Sequence, residues 1–176
     1  MKRVAVFGNA GAGKSTMARR LAEITGLPLC VLDKVQFREG GEPVPHEEYL
    51  ERHRDLLAQE AWIIDGYGDA ATTRERFAAA DTLIQVDPGL PVLHWQVTKR
   101  LVKGLFADPE GWPKDSPLWS STMSSYRVIP CCHQYLTPRY RKLGVGMGAS
   151  KRVAHLRSGR EAAAFLDQVR REFGRG

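Results

Sequence analysis

The run Gly8-Asn9-Ala10-Gly11-Ala12-Gly13-Lys14-Ser15 fits the pattern G-x-x-x-x-G-K-[ST] at every fixed position. Its glycines and alanines let successive backbone N–H groups curl around an anion. A helix opening at the end of such a loop adds unsatisfied donors and a partial positive charge. In that setting Lys14 reaches the β- and γ-phosphates of a nucleoside triphosphate, and the Ser15 hydroxyl ligates Mg²⁺. The backbone and hydroxyl of Thr16 could meet the α-phosphate. The chemistry implied is binding of ATP with Mg²⁺. Further along the chain stand three carboxylates, Asp33, Asp65 and Asp87. Asp33 could orient or deprotonate an acceptor hydroxyl, or contact Mg²⁺ through water; a plain helix cap is the alternative. Asp87 begins Asp87-Pro88-Gly89, which also reads as an ordinary turn.

Cations accompany these acids. Arg74 and Arg76 could grip an acceptor phosphate or carboxylate bidentately, or lie on a solvated face. Spacing of three or four places Lys99 or Arg100 on one helix face with Lys103. Arg139 and Arg141, in Thr137-Pro138-Arg139-Tyr140-Arg141-Lys142, are candidates for neutralising a transferring phosphoryl group.

The elements that must position these residues alternate. Strands are expected at Lys2 to Phe7, Leu29 to Leu32, Trp62 to Ile64, Thr82 to Val86 and Lys151 to Leu156. Helices are expected at Lys14 to Thr25, His46 to Gln59, Thr72 to Ala80, Leu90 to about Phe106 and Gly159 to Phe173. The stretch from Ala107 to Ala149 reads as an irregular, lid-type insertion, interrupted by prolines that include Pro130 and Pro138, with a helix around Leu118 to Tyr135. Strands separated by helices imply βαβ units. The expected fold is therefore a three-layer α/β/α P-loop domain over residues 1–176, with a five-stranded parallel sheet and a helical lid insertion. Ligands of such sheets bind beyond the carboxyl ends of the strands, where Gly8 to Ser15, Asp33, Asp65-Gly66 and Asp87 all fall.

The formal net charge of +6 favours anionic partners without choosing among a polyphosphate, a nucleic acid and a membrane surface. The basic residues gather at Arg19-Arg20, Lys99 to Lys103, Arg139 to Lys142 and Lys151 to Arg160, which suits a phosphate-binding cleft better than a basic arm. Three cysteines, Cys30, Cys131 and Cys132, make poor material for a disulfide framework and fit a reducing cytosol. The N-terminal apolar run is too short for a signal peptide, and no stretch approaches the roughly 20 apolar residues of a membrane span. A cytoplasmic monomer or dimer is the expectation. Cys131-Cys132-His133 lacks the spacing of a metal site and reads as buried thiols. His46, His94 and His155 show no partner in sequence and receive no role.

The chain resembles the adenylate-kinase-like P-loop kinases, and within them the FlaR-related proteins labelled as DNA topology modulation proteins. The resemblance rests on Gly8 to Thr16, Leu32-Asp33, Glu60-Ala61-Trp62-Ile63-Ile64-Asp65-Gly66, Ala80-Asp81-Thr82, Val86-Asp87, and Arg152-Val153 through Leu156-Arg157-Ser158. Where that family carries an LDxxxW run and a DGN run, this chain reads Leu32-Asp33-Lys34-Val35-Gln36-Phe37 and Asp65-Gly66-Tyr67. The resemblance implies that Asp65 holds Mg²⁺ through water and that Gly66 lets the acceptor approach closely. It implies that Arg76 meets the acceptor, that Arg100 pairs with or stacks on ATP at the start of a lid, and that Arg157 helps frame the adenine.

These readings converge on a phosphotransferase moving the γ-phosphoryl of ATP-Mg²⁺ to a small acceptor. Lys14, Asp33, Arg139 and Arg141 would form the catalytic set; Asp33, Asp65, Gly66 and Arg76 would bind the acceptor; Ser15 and Asp65 would hold the metal. The alternative is a nucleotide-dependent regulatory or nucleic-acid-binding protein, motivated by the basic and aromatic stretch from Tyr126 to Lys142.

Overall fold

The computed structural model describes residues 1–38, 41–104, 118–147 and 150–174, with side chains for all of these but 103–104, 118–121, 143–145 and 147. In chain order the strands are β1 (Arg3–Gly8), β2 (Leu29–Val31), β3 (Trp62–Asp65), β4 (Thr82–Val86) and β5 (Arg152–Leu156). The α-helices are α1 (Lys14–Thr25), α2 (Leu32–Gln36), α3 (His46–Ala58), α4 (Ala70–Ala79), α5 (Leu90–Gly104), α6 (Leu118–Cys131), α7 (Thr137–Met147) and α8 (Gly159–Phe173). A π-helical turn, Cys132–Leu136, joins α6 to α7. The strands pair in parallel in the order β2-β3-β1-β4-β5. After β1 the chain thus builds first to one side and later to the other, so a crevice opens at the carboxyl end of the central strand.

Helices cover both faces, because every second residue of a strand turns to the same side. Val4 and Val6 of β1, with Ile84 and Val86 of β4, pack against Met17, Ala18 and Leu21 of α1, Leu93 and Val97 of α5, Ile129 of α6, and Phe165, Leu166 and Val169 of α8. Ala5 and Phe7 turn the other way, with Ile64 and Leu83, onto Tyr49 of α3, Phe77 of α4 and Tyr140 of α7. Helix α1 ends where Gly26 enters the left-handed region at φ 70°, its N–H returning to the Ala22 carbonyl. Helix α4 starts earlier than its apolar spacing suggests. Asp69 accepts from the Thr72 N–H at 2.8 Å while Thr72 Oγ1 accepts from the Asp69 N–H at 3.2 Å, a reciprocal cap.

Two local expectations are corrected. The second strand stops at Val31, and Leu32 to Gln36 forms a short helix, so Asp33 lies in a helical first turn, where the dipole favours an acid. Pro130 and Pro138 do not interrupt the structure, because Leu118 to Met147 runs as helix throughout. Pro138 is the second residue of α7, directly after the π turn. Pro130 removes the donor for one carbonyl inside α6, and two residues later the helix widens into the π turn, a usual way to absorb such a defect. Part of the expected insertion, 107–117 and 148–149, lies outside the described residues, as do 105–106 at the end of the helix expected to reach about Phe106. Trp112 and the side chains of Lys103 and Trp119 lie outside them too.

Candidate functional site

The loop between β1 and α1 is shaped by two close backbone approaches. Gly8 adopts φ 148°, and a Cβ there would stand 2.1 Å from the Val86 carbonyl oxygen of β4. Gly11 adopts φ 72°, and its Cβ would meet the Leu93 carbonyl of α5 at 2.6 Å. Only glycine fits either position, since any side chain would displace backbone. Gly13, at φ 88°, is open. Lys14 Nζ donates to the Asn9 carbonyl at 2.9 Å, so the ammonium is held across the loop before any phosphate arrives. Ser15 and Thr16 follow in the first turn of α1, with Thr16 exposed.

To one side of this loop lies a cavity of about 240 Å³. Ala12, Gly13 and Thr16 line it, with Val86 and Pro88 after β4, Gln96 of α5, and Leu156, Ser158 and Gly159 where β5 turns into α8. Arg157, the residue expected to frame an adenine, is exposed in that turn; its backbone N–H donates to Glu161 Oε2 at 2.8 Å.

To the other side the acids assemble. Asp65 ends β3 and is 2% exposed, and its Oδ1 has no hydrogen-bond partner among the described residues. Gly66 follows at φ 130°, so tight against α2 that a Cβ would lie 2.8 Å from Leu32 Cβ. Burial raises the Asp33 carboxyl above the usual carboxylate range; Lys14 and Arg100 oppose the shift and Asp65 adds to it. Lys14, Asp65 and Arg100 thus lie within electrostatic reach of Asp33. The Arg100 NH2 group donates to Ser125 Oγ of α6 at 2.9 Å.

Arg76 and Arg141 have partners that sequence spacing could not supply. The Arg76 side chain is fully buried, and its NH2 group donates to the carbonyls of Gly66 at 3.0 Å and Tyr67 at 2.8 Å. It thereby fixes the turn after β3. Arg141 reaches from α7 to Asp87, with Nε at 3.0 Å and NH2 at 2.7 Å from Oδ2. His155 Nε2 of β5 lies 2.8 Å from the same oxygen. The sequence reading gave His155 no role, although the parallel register sets it beside Gln85, two residues before Asp87. Arg139 and Arg74 are exposed. Tyr126 stacks on His94 with centroids 5.7 Å apart, and Tyr140 is buried against Phe7 and Phe77, so neither ring is presented for stacking on a base.

The helix from α6 through α7 crosses the crevice. Asn9 Nδ2 of the loop donates to the Ile129 carbonyl of α6 at 2.9 Å. Of the thiols expected to be buried, Cys131 is exposed and Cys132 half-buried; burial raises the Cys132 thiol, Cys131 adds to the shift and Lys14 opposes it.

A family model described as isopentenyl transferase matches residues 1–85, the part that carries the phosphate loop, Asp33 and Asp65. No curated protein matches. Among solved structures the chain is similar to a shikimate kinase from Acinetobacter baumannii in complex with shikimate. That likeness has a TM-score of 0.60 at 17% identity, over 96% of this chain and 90% of that one. An unliganded sugar kinase from a Janibacter species aligns over 98% of this chain and 91% of its own at 17% identity, with a TM-score of 0.49. The shikimate kinase likeness shows the fold: a five-stranded parallel sheet with helices on both faces.

Proposed function

We propose that this chain is an ATP-dependent phosphotransferase that moves the γ-phosphoryl group of ATP-Mg²⁺ to the hydroxyl of a small acceptor. One observation carries the reading: the phosphate loop lies between a cavity of about 240 Å³ and two carboxylates, half-buried Asp33 and buried Asp65, with Lys14 among the charges that act on Asp33. A triphosphate seated in the loop, with its nucleoside in the cavity, directs its γ end toward Asp33 and Asp65. Lys14 neutralises charge on the β- and γ-phosphates, and the loop N–H groups hold the chain of phosphates in line.

The residues present suit a magnesium ion. Asp65 offers a buried oxygen without a partner among the described residues, and Ser15 stands at the start of α1 as the hydroxyl ligand. Held by Ser15 and Asp65, Mg²⁺ would supply positive charge against the charge that develops on the phosphates. Asp33 orients the acceptor hydroxyl and takes up its proton, a role that its raised pKa favours. Gly66 gives the acceptor room, and Arg76 fixes the turn that presents Gly66 and Tyr67. Arg139 and Arg141 act from the α6–α7 lid; Arg100 acts beside Asp33, and Arg157 at the nucleoside end. The resemblance to FlaR-related kinases and a cytoplasmic monomer or dimer belong to this same reading.

The test is a coupled assay of ADP formation from ATP-Mg²⁺ across nucleoside monophosphates, nucleosides and small hydroxy acids, with Lys14→Ala as control. One acceptor should raise turnover well above the ATP-only rate, and Lys14→Ala should abolish the stimulation. The family match over residues 1–85 supplies one rival, transfer of an isopentenyl group. An isopentenyl donor included in the same panel separates the two. Consumption of that donor, with no acceptor-dependent ADP, would overturn the phosphotransferase reading.

A further inference from the structure

Asn9 stands at a variable position of the phosphate loop, yet its side chain is 6% exposed and bonded at both ends. Its Oδ1 accepts from the Ala10 N–H at 2.7 Å, within the loop. Its Nδ2 donates to the Ile129 carbonyl at 2.9 Å, on α6, 120 residues away in sequence. Its own carbonyl accepts from Lys14 Nζ at 2.9 Å and from the Ala12 N–H at 3.2 Å. One residue therefore touches the loop backbone, the loop lysine and the helix that crosses above them.

The far end of this link is a place where α-helix gives way to another form. Ile129 is fully buried and precedes Pro130, and the π turn begins at Cys132. Normal helical pairing is disturbed here, because proline lacks a donor and the wider turn shifts the acceptors. A side-chain amide that satisfies the Ile129 carbonyl stabilises this transition and fixes where the π turn stands. Beyond the turn, α7 carries Arg141 onto Asp87.

We propose that Asn9 is a positioning residue that couples the phosphate loop to the α6–α7 helix, so that the state of the loop sets how that helix lies over the crevice. The carboxamide is planar and its two ends cannot move apart. A shift of the Ala10 backbone on phosphate binding is therefore transmitted to Ile129, and the helix carrying Arg139 and Arg141 follows. The inference rests on the phosphotransferase reading only in taking ATP as the loop's ligand. Isosteric Asn9→Asp keeps the acceptor for Ala10 but turns a second acceptor toward the Ile129 carbonyl, which breaks the link to the helix. Asn9→Ala removes both ends.

The experiment is amide hydrogen exchange over residues 122–147 in wild type, Asn9→Ala and Asn9→Asp, each with and without ATP-Mg²⁺, beside ATP titration and steady-state kinetics. Wild type should slow its exchange in this helix when ATP binds. Both variants should lose that response and exchange faster without ATP. Asn9→Ala should keep its ATP affinity within about threefold while kcat falls about tenfold, the scale of one lost charge-free hydrogen bond. A merely structural Asn9 would lower stability and leave kcat and the ATP response alone. An ATP response in both variants equal to that of wild type would overturn the proposal, and so would a wild-type helix indifferent to bound ATP. Failure of the phosphotransferase reading looks different: ATP binds and the helix responds, but no acceptor raises ADP formation.

Discussion

At the residue scale, the Asp33 carboxylate sets stability against chemistry. Asp33 has its folded pKa raised, chiefly by loss of water. The folded state then holds its proton more tightly than the unfolded chain, whose carboxyl titrates near 3.9. Ionised Asp33 therefore destabilises the fold, and its penalty grows as pH rises from the unfolded value through the folded one. Asp33→Asn removes the charge and keeps the shape. Its melting temperature at pH 7 should equal or exceed that of wild type, while acceptor-dependent ADP formation falls at least a hundredfold, the usual contribution of a positioned base. Thermal scans and the coupled assay together check both halves; an Asp33→Asn variant with wild-type turnover removes Asp33 from the mechanism.

At the element scale, helices α3 and α7 share one apolar layer, through Tyr49 and Tyr140, and differ in their polar contacts. His53 of α3 is fully buried, and neither ring nitrogen has a hydrogen-bond partner among the described residues. Burial lowers its pKa, and the Arg76 guanidinium lowers it further, against the opposing pull of Glu75 and Asp69. A His with a depressed folded pKa stabilises the fold in its neutral form, since the unfolded chain binds the proton more readily. Stability should be full above the unfolded value of about 6.5 and decline as pH falls below it. Urea titrations between pH 7.5 and 5 check this, and His53→Phe should flatten that part of the profile. Helix α7 instead depends on a polar tie. Asp87 accepts from Arg141 and meets His155 with its carboxylate almost wholly buried. Asp87→Ala removes the acceptor of half-exposed Arg141, which can turn to water, and of His155, and should cost about 1 kcal/mol. Faster amide exchange in α7 than in α1 would locate the loss; uniform exchange would show that the tie does not hold α7.

For the whole molecule, the two apolar layers meet along β1, and the loop that leaves β1 is the proposed ligand site. Binding there should stabilise the fold as one unit, because α1, α5 and α6 all pack in the layer beside that loop. ATP-Mg²⁺ at a hundred times its Kd should add about 2.7 kcal/mol to the free energy of unfolding. For a chain of this length that corresponds to a rise in Tm of roughly 5–10 °C. Lys14→Ala should lose most of the rise, and a wild-type Tm unmoved by millimolar ATP would argue against the loop as a triphosphate site.

The order of residues was enough to specify the sheet, most helix bounds and the phosphate loop. These follow from contacts between near neighbours: alternating apolar residues, glycines where a turn needs them, and a lysine placed by its distance from the last glycine. Thus Lys14–Thr25, Thr82–Val86 and Gly159–Phe173 stand at the ends that the sequence marks. The partners of the long side chains came instead from the folded arrangement. Arg76 turns inward to carbonyls, Arg141 finds Asp87, Arg100 meets Ser125, and Asn9 reaches Ile129. An arginine spans several ångströms and can choose among many acceptors, so its choice depends on which distant segments the fold brings near. The helix from Leu118 to Met147 follows the same rule. Its prolines argue locally for a break, and packing on α5, with the wider turn at Cys132–Leu136, keeps it whole.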